Sequence, residues 1–221
     1  PESYEYYLKA KNKYDKRKNN NEIDIIIGLI NKSIELDKDI IEAKILLGNI
    51  NLELGEYKNA LFNFEQSLKI SENIDNKLWY GRSLRSIGKF HKIFSYDFDL
   101  ALKHYREASE IAIDYNDFEG YGKSLSNMVD VYIEKYYWNR LSEDLLKAEE
   151  YNEKLITVYK ELNDKRGIES YYRRNGILLR IKNTDLDKAL EYHQKSLKIC
   201  KKLDNNFLIA NSLRDLGHFY M

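Results

Sequence analysis

Four cationic residues follow one another along a short stretch of the chain. Arg82, Arg85, Lys89 and Lys92 are separated by 3, 4 and 3 residues, and such intervals return to one side of an α-helix. No acid occurs from position 76 to position 96, where Lys77 adds a fifth positive charge. A concentrated cationic surface attracts carboxylates. The spacing predicts a surface that binds an acidic segment; the alternative is a solvated face paired with acids of neighbouring helices.

Residues that could perform covalent or metal chemistry are scattered. The histidines are His91, His104, His193 and His218, and Cys200 is the one cysteine. His193 and Cys200 share a helix face, but two ligands do not make a zinc site. Glycine-rich phosphate loops and the H-E-x-x-H and C-x-x-C motifs are missing from the sequence. We therefore expect no enzymatic activity, no metal and no cofactor, with His193 and Cys200 buried in the core.

Three adjacent aromatic residues form a second candidate contact. Tyr136, Tyr137 and Trp138 lie between Val129 and Ala148, which are 19 residues apart, seven more than Gly48 and Ala60. One helix cannot bury three consecutive rings, and exposed Tyr and Trp often anchor partners. They are a possible aromatic anchor; the alternative is a local packing ridge. Seven residues are about two helical turns, so both flanking helices are expected to be one turn longer.

The elements that position these side chains repeat along the chain. Glycines recur at Gly48 and Gly88, 40 residues apart, and again at Gly176 and Gly217, 41 residues apart, with Val129 in the intermediate position. A second helix carries an alanine, a ring four residues later and a small residue three further on. These triplets are Ala60, Phe64 and Ser67; Ala101, Tyr105 and Ala108; and Ala189, His193 and Ser196.

The repeated glycine indicates helices that approach closely, because a glycine inside a helix otherwise costs about 0.5–1 kcal/mol. The sequence thus predicts an all-α fold, an α-α superhelix of about five helix hairpins and one terminal helix. Ser95, Asp97, Thr184 and Asp185 are expected as helix N-caps. We expect a single domain with repeats at 1–38, 39–74, 75–117, 118–164 and 165–204 and a terminal helix at 205–221.

This pattern resembles the tetratricopeptide repeat family and, through its longer period, the Leu-Gly-Asn subgroup. Arg82, Lys123 and Asn127 match that subgroup, whereas Ser86, Arg174 and Val129 depart from it. The resemblance implies that the first helix of each hairpin lines a concave groove. The implied groove residues are Asn49, Arg82, Arg85, Lys89, Lys92, Lys123, Asn127, Arg173, Arg180 and Arg214, followed by His218 and Met221.

Composition narrows the class of partner. The 36 cations and 36 anions cancel, which argues against general nucleic-acid or membrane binding. One cysteine indicates a reducing compartment, the cytoplasm. We expect a non-enzymatic module that binds an acidic protein or peptide. A sensor segment of a larger multidomain signalling protein is the alternative, and single-stranded nucleic-acid binding a lesser one. The apolar terminal helix predicts a chain that continues past residue 221, and the alternative is a short cap. The same helix could also mediate self-association.

Overall fold

A computed structural model describes residues 1–17 and 20–217 of the chain. Within these ranges the chain forms 11 α-helices and no strand. In chain order the helices α1 to α11 are Glu2–Lys16, Ile23–Leu36, Ile41–Glu53, Tyr57–Asn73, Lys77–Phe90, Phe98–Asp114, Phe118–Asn139, Ser142–Glu161, Lys165–Lys182, Leu186–Lys202 and Asn206–Gly217.

The helices belong to two compact units, of which the first is Pro1–Asp117 and the second starts at Phe118. In the first unit α1 pairs with α2, α3 with α4, and α5 with α6. In the second unit α7 pairs with α8 and α9 with α10, while α11 packs on α10. The prediction of an all-α fold built from helix hairpins is confirmed. The single-domain organisation stays a prediction.

Four of the five hairpins, all except that of α1 and α2, end at a turn with the same backbone conformation. Asp75, Asn116, Asn163 and Asp204 all adopt the left-handed conformation, with φ between 50° and 54°. Asn and Asp adopt this conformation at lower cost than other side chains. The residue that follows is also Asn or Asp, and three of these four, Asn76, Asp164 and Asn205, accept backbone N–H groups of the next helix. The turn both ends one hairpin and starts the next.

The turns inside the hairpins differ more. Gly55, with φ of 77°, forms the expected short turn between α3 and α4. Of the four expected N-caps, Asp97 and Asp185 accept backbone N–H groups of α6 and α10. Ser95 instead donates to the His91 carbonyl, 3.0 Å away, because a π-helical turn, His91–Ser95, extends α5. Thr184 precedes the capping Asp185 and does not cap the helix.

The cores of three hairpins are organised around a ring that fills the space above a glycine. A Cβ on Gly48 would lie 2.4 Å from Phe64, one on Gly88 would lie 2.7 Å from Tyr105, and one on Gly176 would lie 2.5 Å from His193. All three rings are at most 1% exposed. The glycines therefore allow the close approach of the two helices that the repeat predicts.

The hairpin of α7 and α8 exchanges these two positions. Val129 replaces the glycine and Asn152 replaces the ring, and both are fully buried. A larger residue on the first helix is thus accompanied by a smaller one on the second. The two helices have 22 and 20 residues, against 14 and 17 for α5 and α6, so both are longer, as expected.

Candidate functional site

The predicted cationic stripe lies on α5 and the π-helical turn that follows it. The opposite face of α5 is buried against α6, because Gly88 contacts Tyr105 and Gly81 contacts Ile111. Arg82, Arg85 and Lys89 are half-buried and alternate with these core positions. We call Arg82, Arg85, Lys89 and Lys92 the α5 stripe. The stripe faces the first-helix side of the first unit, where α3 lies beside α5.

Lys89 connects the α5 stripe to α3. Its Nζ atom donates a hydrogen bond to Asn49 Oδ1 at 3.1 Å, and Asn49 Nδ2 donates to the Ile45 carbonyl at 2.9 Å. Burial lowers the pKa of Lys89, and Lys92 lowers it further, whereas Glu53 acts in the opposite direction. The ammonium group is thus partly desolvated next to a neutral amide. A carboxylate placed here would stabilise its charged form.

Arg82 lies at the other end of the α5 stripe. Its guanidinium group stacks over the Trp79 ring at 4.6 Å and lies 3.7 Å from the Asp117 carboxylate. This separation is longer than a close charge-assisted hydrogen bond. The Trp79 ring and the Asp117 carboxylate thus both lie next to the Arg82 guanidinium group.

Three of the four predicted groove cations of the second unit, all except Arg180, have carboxylate partners within the described residues of that unit. Lys123 pairs with Glu119 on its own helix. Arg173 lies 3.6 Å and Arg214 3.8 Å from Asp215, a buried residue of α11. Asn127 and Arg180 are half-buried. The structure brings Arg173 and Arg214 together around one carboxylate.

Arg174 has a role that its position in the sequence did not indicate. It is 3% exposed, and its Nε atom lies 2.8 Å from Asp130 of α7, while Nη2 donates to the Ser126 hydroxyl at 2.6 Å. In the repeat pattern it counted only as a departure from asparagine. The sequence feature that could have indicated this role is Asp130, an acid next to Val129 on α7, the preceding first helix. The pair joins α7 to α9.

The aromatic residues at the end of α7 are increasingly exposed along the chain. Tyr136 is half-buried, Tyr137 is 45% exposed and Trp138 is 69% exposed. Arg140 lies over both tyrosine rings, at 5.5 Å and 5.7 Å, and has a left-handed backbone with φ of 59°. A bulky side chain in this conformation is uncommon. The expected aromatic anchor is therefore accessible, and its role stays a prediction.

Two core residues that could carry chemistry, His193 and Cys200, are fully buried, as expected. No group of three or more potential ligands that could hold a metal ion occurs in residues 1–17 and 20–217. Over the same ranges, no helix combines the length and apolar character needed to cross a membrane. His218 and Met221, the last positions of the predicted stripe, lie outside the described residues.

Residues 39–114 match the family model described as tetratricopeptide repeat. These residues are tetratricopeptide repeats. The matched range includes α3 to α6 and with them the α5 stripe. The resemblance to this family is thereby confirmed, whereas membership of the Leu-Gly-Asn subgroup stays a prediction. None of the curated proteins matches the chain.

Solved structures share the tetratricopeptide repeat fold over nearly the whole chain. A protein from Pyrococcus horikoshii, a signal transduction ATPase with numerous domains and a tetratricopeptide repeat sensor, is 17% identical with a TM-score of 0.69, over 96% of this chain and 30% of that one. A thermophilic tetratricopeptide repeat protein of Thermus thermophilus is 15% identical with a TM-score of 0.66, over 97% and 98%. BtubC from P. vanneervenii is 15% identical with a TM-score of 0.65, over 99% and 80%. At these identities the likeness concerns the fold.

Proposed function

We propose that this chain binds an acidic, carboxylate-bearing segment of a partner protein on the α5 stripe. Tetratricopeptide repeats are protein-interaction modules, and the stripe lies within the matched repeats. The observation that carries the proposal is Lys89, a partly desolvated ammonium group whose hydrogen-bond acceptor is the neutral amide of Asn49. A partner carboxylate would place a negative charge next to this ammonium group, whose acceptor in the structure is neutral.

The neighbours of Lys89 extend the same surface. On α5, Arg85 lies one turn and Arg82 two turns before it, and Arg82 is held against Trp79. Arginines that are fixed in this way lose little freedom when they bind a carboxylate. An extended acidic segment that follows α5 would meet several cations in succession, so binding should weaken as salt is added.

The test uses a fluorescent polyglutamate peptide and the double variant Arg82→Glu with Arg85→Glu. The control is Lys58→Glu with Lys103→Glu, which makes the same charge change at exposed positions on α4 and α6. We expect binding to fall by about tenfold or more in the stripe variant only, with helicity unchanged in both. Equal losses in the two variants would show general attraction and contradict the proposal.

Single-stranded RNA and DNA of the same length serve as competitors in this assay. Polyglutamate should be retained when they are added, because the proposed recognition is of carboxylates. Displacement of the peptide at equal concentration would favour binding of the phosphate backbone instead. This arm separates the acidic-peptide function from the nucleic-acid alternative on one protein sample.

A second candidate function is a sensor segment of a larger signalling protein. It is supported by the likeness to the Pyrococcus horikoshii protein, whose description combines an ATPase with a tetratricopeptide repeat sensor. This chain spans 30% of that protein. We expect an NTPase domain in the same reading frame, and the complete coding sequence tests this. A reading frame without another domain would contradict it.

Two further expectations are part of the proposal. A cytoplasmic location is supported by the single, buried Cys200, which suits a reducing compartment. Self-association is supported by Leu213 of α11, which is 52% exposed. Sedimentation of the chain and of Leu213→Glu tests the second point: a dimer that the variant loses supports it, and a monomer in both rejects it.

A further inference from the structure

A trough on the second-helix side of the first unit is separate from the α5 stripe. Its walls are α2 and α4, and it lies over the start of α3. Its volume is about 650 Å³, enough for a small polar molecule. Ile34 and Ile70 contribute its apolar surface. None of its lining residues belongs to the α5 stripe, so the two surfaces can be tested independently.

Three lysines line this trough, namely Lys38, Lys44 and Lys69. Lys44 is half-buried on the first turns of α3, and it forms no ion pair with the residues that the structure describes. Burial lowers the pKa of Lys44, and the charge of Asp39 opposes this only in part. A half-buried cation without an ion-pair partner loses part of its hydration, and a bound anion would offset this loss.

The acids of the trough do not neutralise these lysines. Glu35 is engaged by Lys32, which lies 3.2 Å away on α2. Asp39 is the other lining carboxylate, and it lies at a turn where its backbone N–H donates to Asp37. Because Glu35 is paired with Lys32, the remaining charged groups of the lining are three lysines and one carboxylate. Its local charge is therefore positive, although the whole chain is neutral.

Amide side chains complete the lining. Asn31, Gln66 and Asn73 come from the two walls of the trough, and none of them forms a hydrogen bond with another described residue. Each carboxamide offers two N–H donors. Amides next to lysines form a suitable environment for a ligand that has several oxygen acceptors and a negative charge.

We propose that this trough is a second binding site, which takes a small multivalent oxyanion, with Lys44 at its base and the amides of Asn31, Gln66 and Asn73 around it. Phosphate groups and small polycarboxylates share this chemistry. The site lies between α2 and α4 and over the start of α3, and it shares no lining residue with the α5 stripe, so its ligand can bind while a protein segment occupies that stripe.

The experiment measures binding of citrate and of inorganic phosphate to the whole chain by calorimetry at low salt. The variant is Lys44→Met, which keeps the aliphatic stem, and the control is Lys58→Met, an exposed lysine of α4 outside the trough. We expect citrate affinity to fall at least about fivefold in Lys44→Met and to stay within about twofold in Lys58→Met. If Lys44→Met loses its helicity, Gln66→Ala replaces it, with the same expectation of weaker binding.

Two results would overturn the proposal. The first is equal citrate affinity of the two lysine variants, or no binding of either anion to the unchanged chain. The second is loss of citrate binding in the Arg82→Glu, Arg85→Glu protein, since this would place the anion on the α5 stripe. Retention of citrate binding by that protein, whether or not it binds polyglutamate, supports the trough and separates it from the proposed function.

Discussion

Cations on the first helices have different surroundings in the two units. In the first unit Lys89 donates to an amide and Arg82 lies 3.7 Å from its carboxylate. In the second unit Arg174, whose guanidinium group is buried, forms a close pair with Asp130, while Arg173 and Arg214 lie 3.6 Å and 3.8 Å from Asp215, a separation like that of Arg82. The contrast therefore lies between Arg174 and Lys89. Arg174 joins two helices through an ion pair, whereas Lys89 meets a neutral amide.

The difference follows from where the acids lie. No acid occurs on α5, whereas Asp130 and Asp215 lie on the first helices α7 and α11. A buried ion pair contributes to stability mainly through the large cost of removing one partner. A half-exposed cation contributes little to stability and can bind a ligand. Mutations should therefore affect stability in the second unit and binding in the first.

The largest expected effect concerns the buried arginine of the second unit. Asp130→Ala leaves the Arg174 guanidinium buried without its carboxylate, and we expect the free energy of unfolding to fall by about 3 kcal/mol. Urea unfolding followed by circular dichroism measures this change. Adding Arg174→Met to the Asp130→Ala variant should restore most of the lost free energy of unfolding. Glu119→Ala, which removes an exposed pair with Lys123, should change stability by less than about 0.5 kcal/mol. A small effect of Asp130→Ala would contradict the contrast between the units.

The second effect concerns the glycine and ring pairs of the core. In Gly48→Ala, the new Cβ would lie 2.4 Å from the Phe64 ring, so we expect a loss of about 2 kcal/mol in the free energy of unfolding. Gly28→Ala on α2 is the matched control, because apart from its chain neighbours and the backbone of its own helix nothing lies within 4 Å of its Cβ position. It should stabilise the chain by about 0.5 kcal/mol through helix propensity. Thermal unfolding of both variants checks this, and a neutral Gly48→Ala would exclude the tight contact.

The third effect sharpens the comparison between the units by neutralising equal numbers of arginines. Arg82→Met with Arg85→Met should weaken polyglutamate binding about tenfold, or about 1.4 kcal/mol. Arg173→Met with Arg180→Met should weaken it by less than about threefold, since these two arginines lie on α9, outside the α5 stripe. Fluorescence anisotropy at constant salt measures both. Equal losses would mean that the two units share the binding of the acidic segment.

The smallest effect concerns His193 and the dependence of stability on pH. Burial lowers the pKa of His193, assisted by Arg180 and Arg173, although Asp215 acts in the opposite direction. The unfolded chain takes up the proton near the ordinary pKa of about 6.5. The contribution of neutral His193 to the free energy of unfolding should therefore be fully present above this pH and should decrease as the pH falls below it. His193→Phe, which reproduces the Phe64 position of α4, should flatten this dependence. Urea midpoints at several pH values measure it, and an unchanged slope in the variant would contradict it.

Most of the fold could be predicted because its determinants are local and repeated. The glycine positions, the triplets such as Ala60, Phe64 and Ser67, and the caps at Asp97 and Asp185 each follow from spacing along one helix. The π-helical turn at His91–Ser95 could not be predicted in this way. Its backbone depends on how α5 meets α6, which no pattern of apolar residues encodes.

The candidate site was predictable only in part. Spacing placed Arg82, Arg85 and Lys89 on one helix face, and the structure agrees with this. The spacing could not show that Lys89 contacts an amide while Arg173 faces Asp215. Partners about 40 residues apart depend on how neighbouring hairpins pack. The trough around Lys44 was not predicted for the same reason, as its lysines and amides come from different helices.

The glycine and ring pairs also bear on how the chain avoids wrong pairings during folding. Many amphipathic segments of similar character could in principle combine in many ways, and repeat proteins are prone to such errors. Phe64, Tyr105 and His193 each find room above a glycine, whereas Val129 has already filled the corresponding gap on α7. A second helix with a large ring would collide there. We expect these differences in side-chain volume to favour pairing of a first helix with the second helix of its own hairpin, and to disfavour its pairing with the second helix of another hairpin.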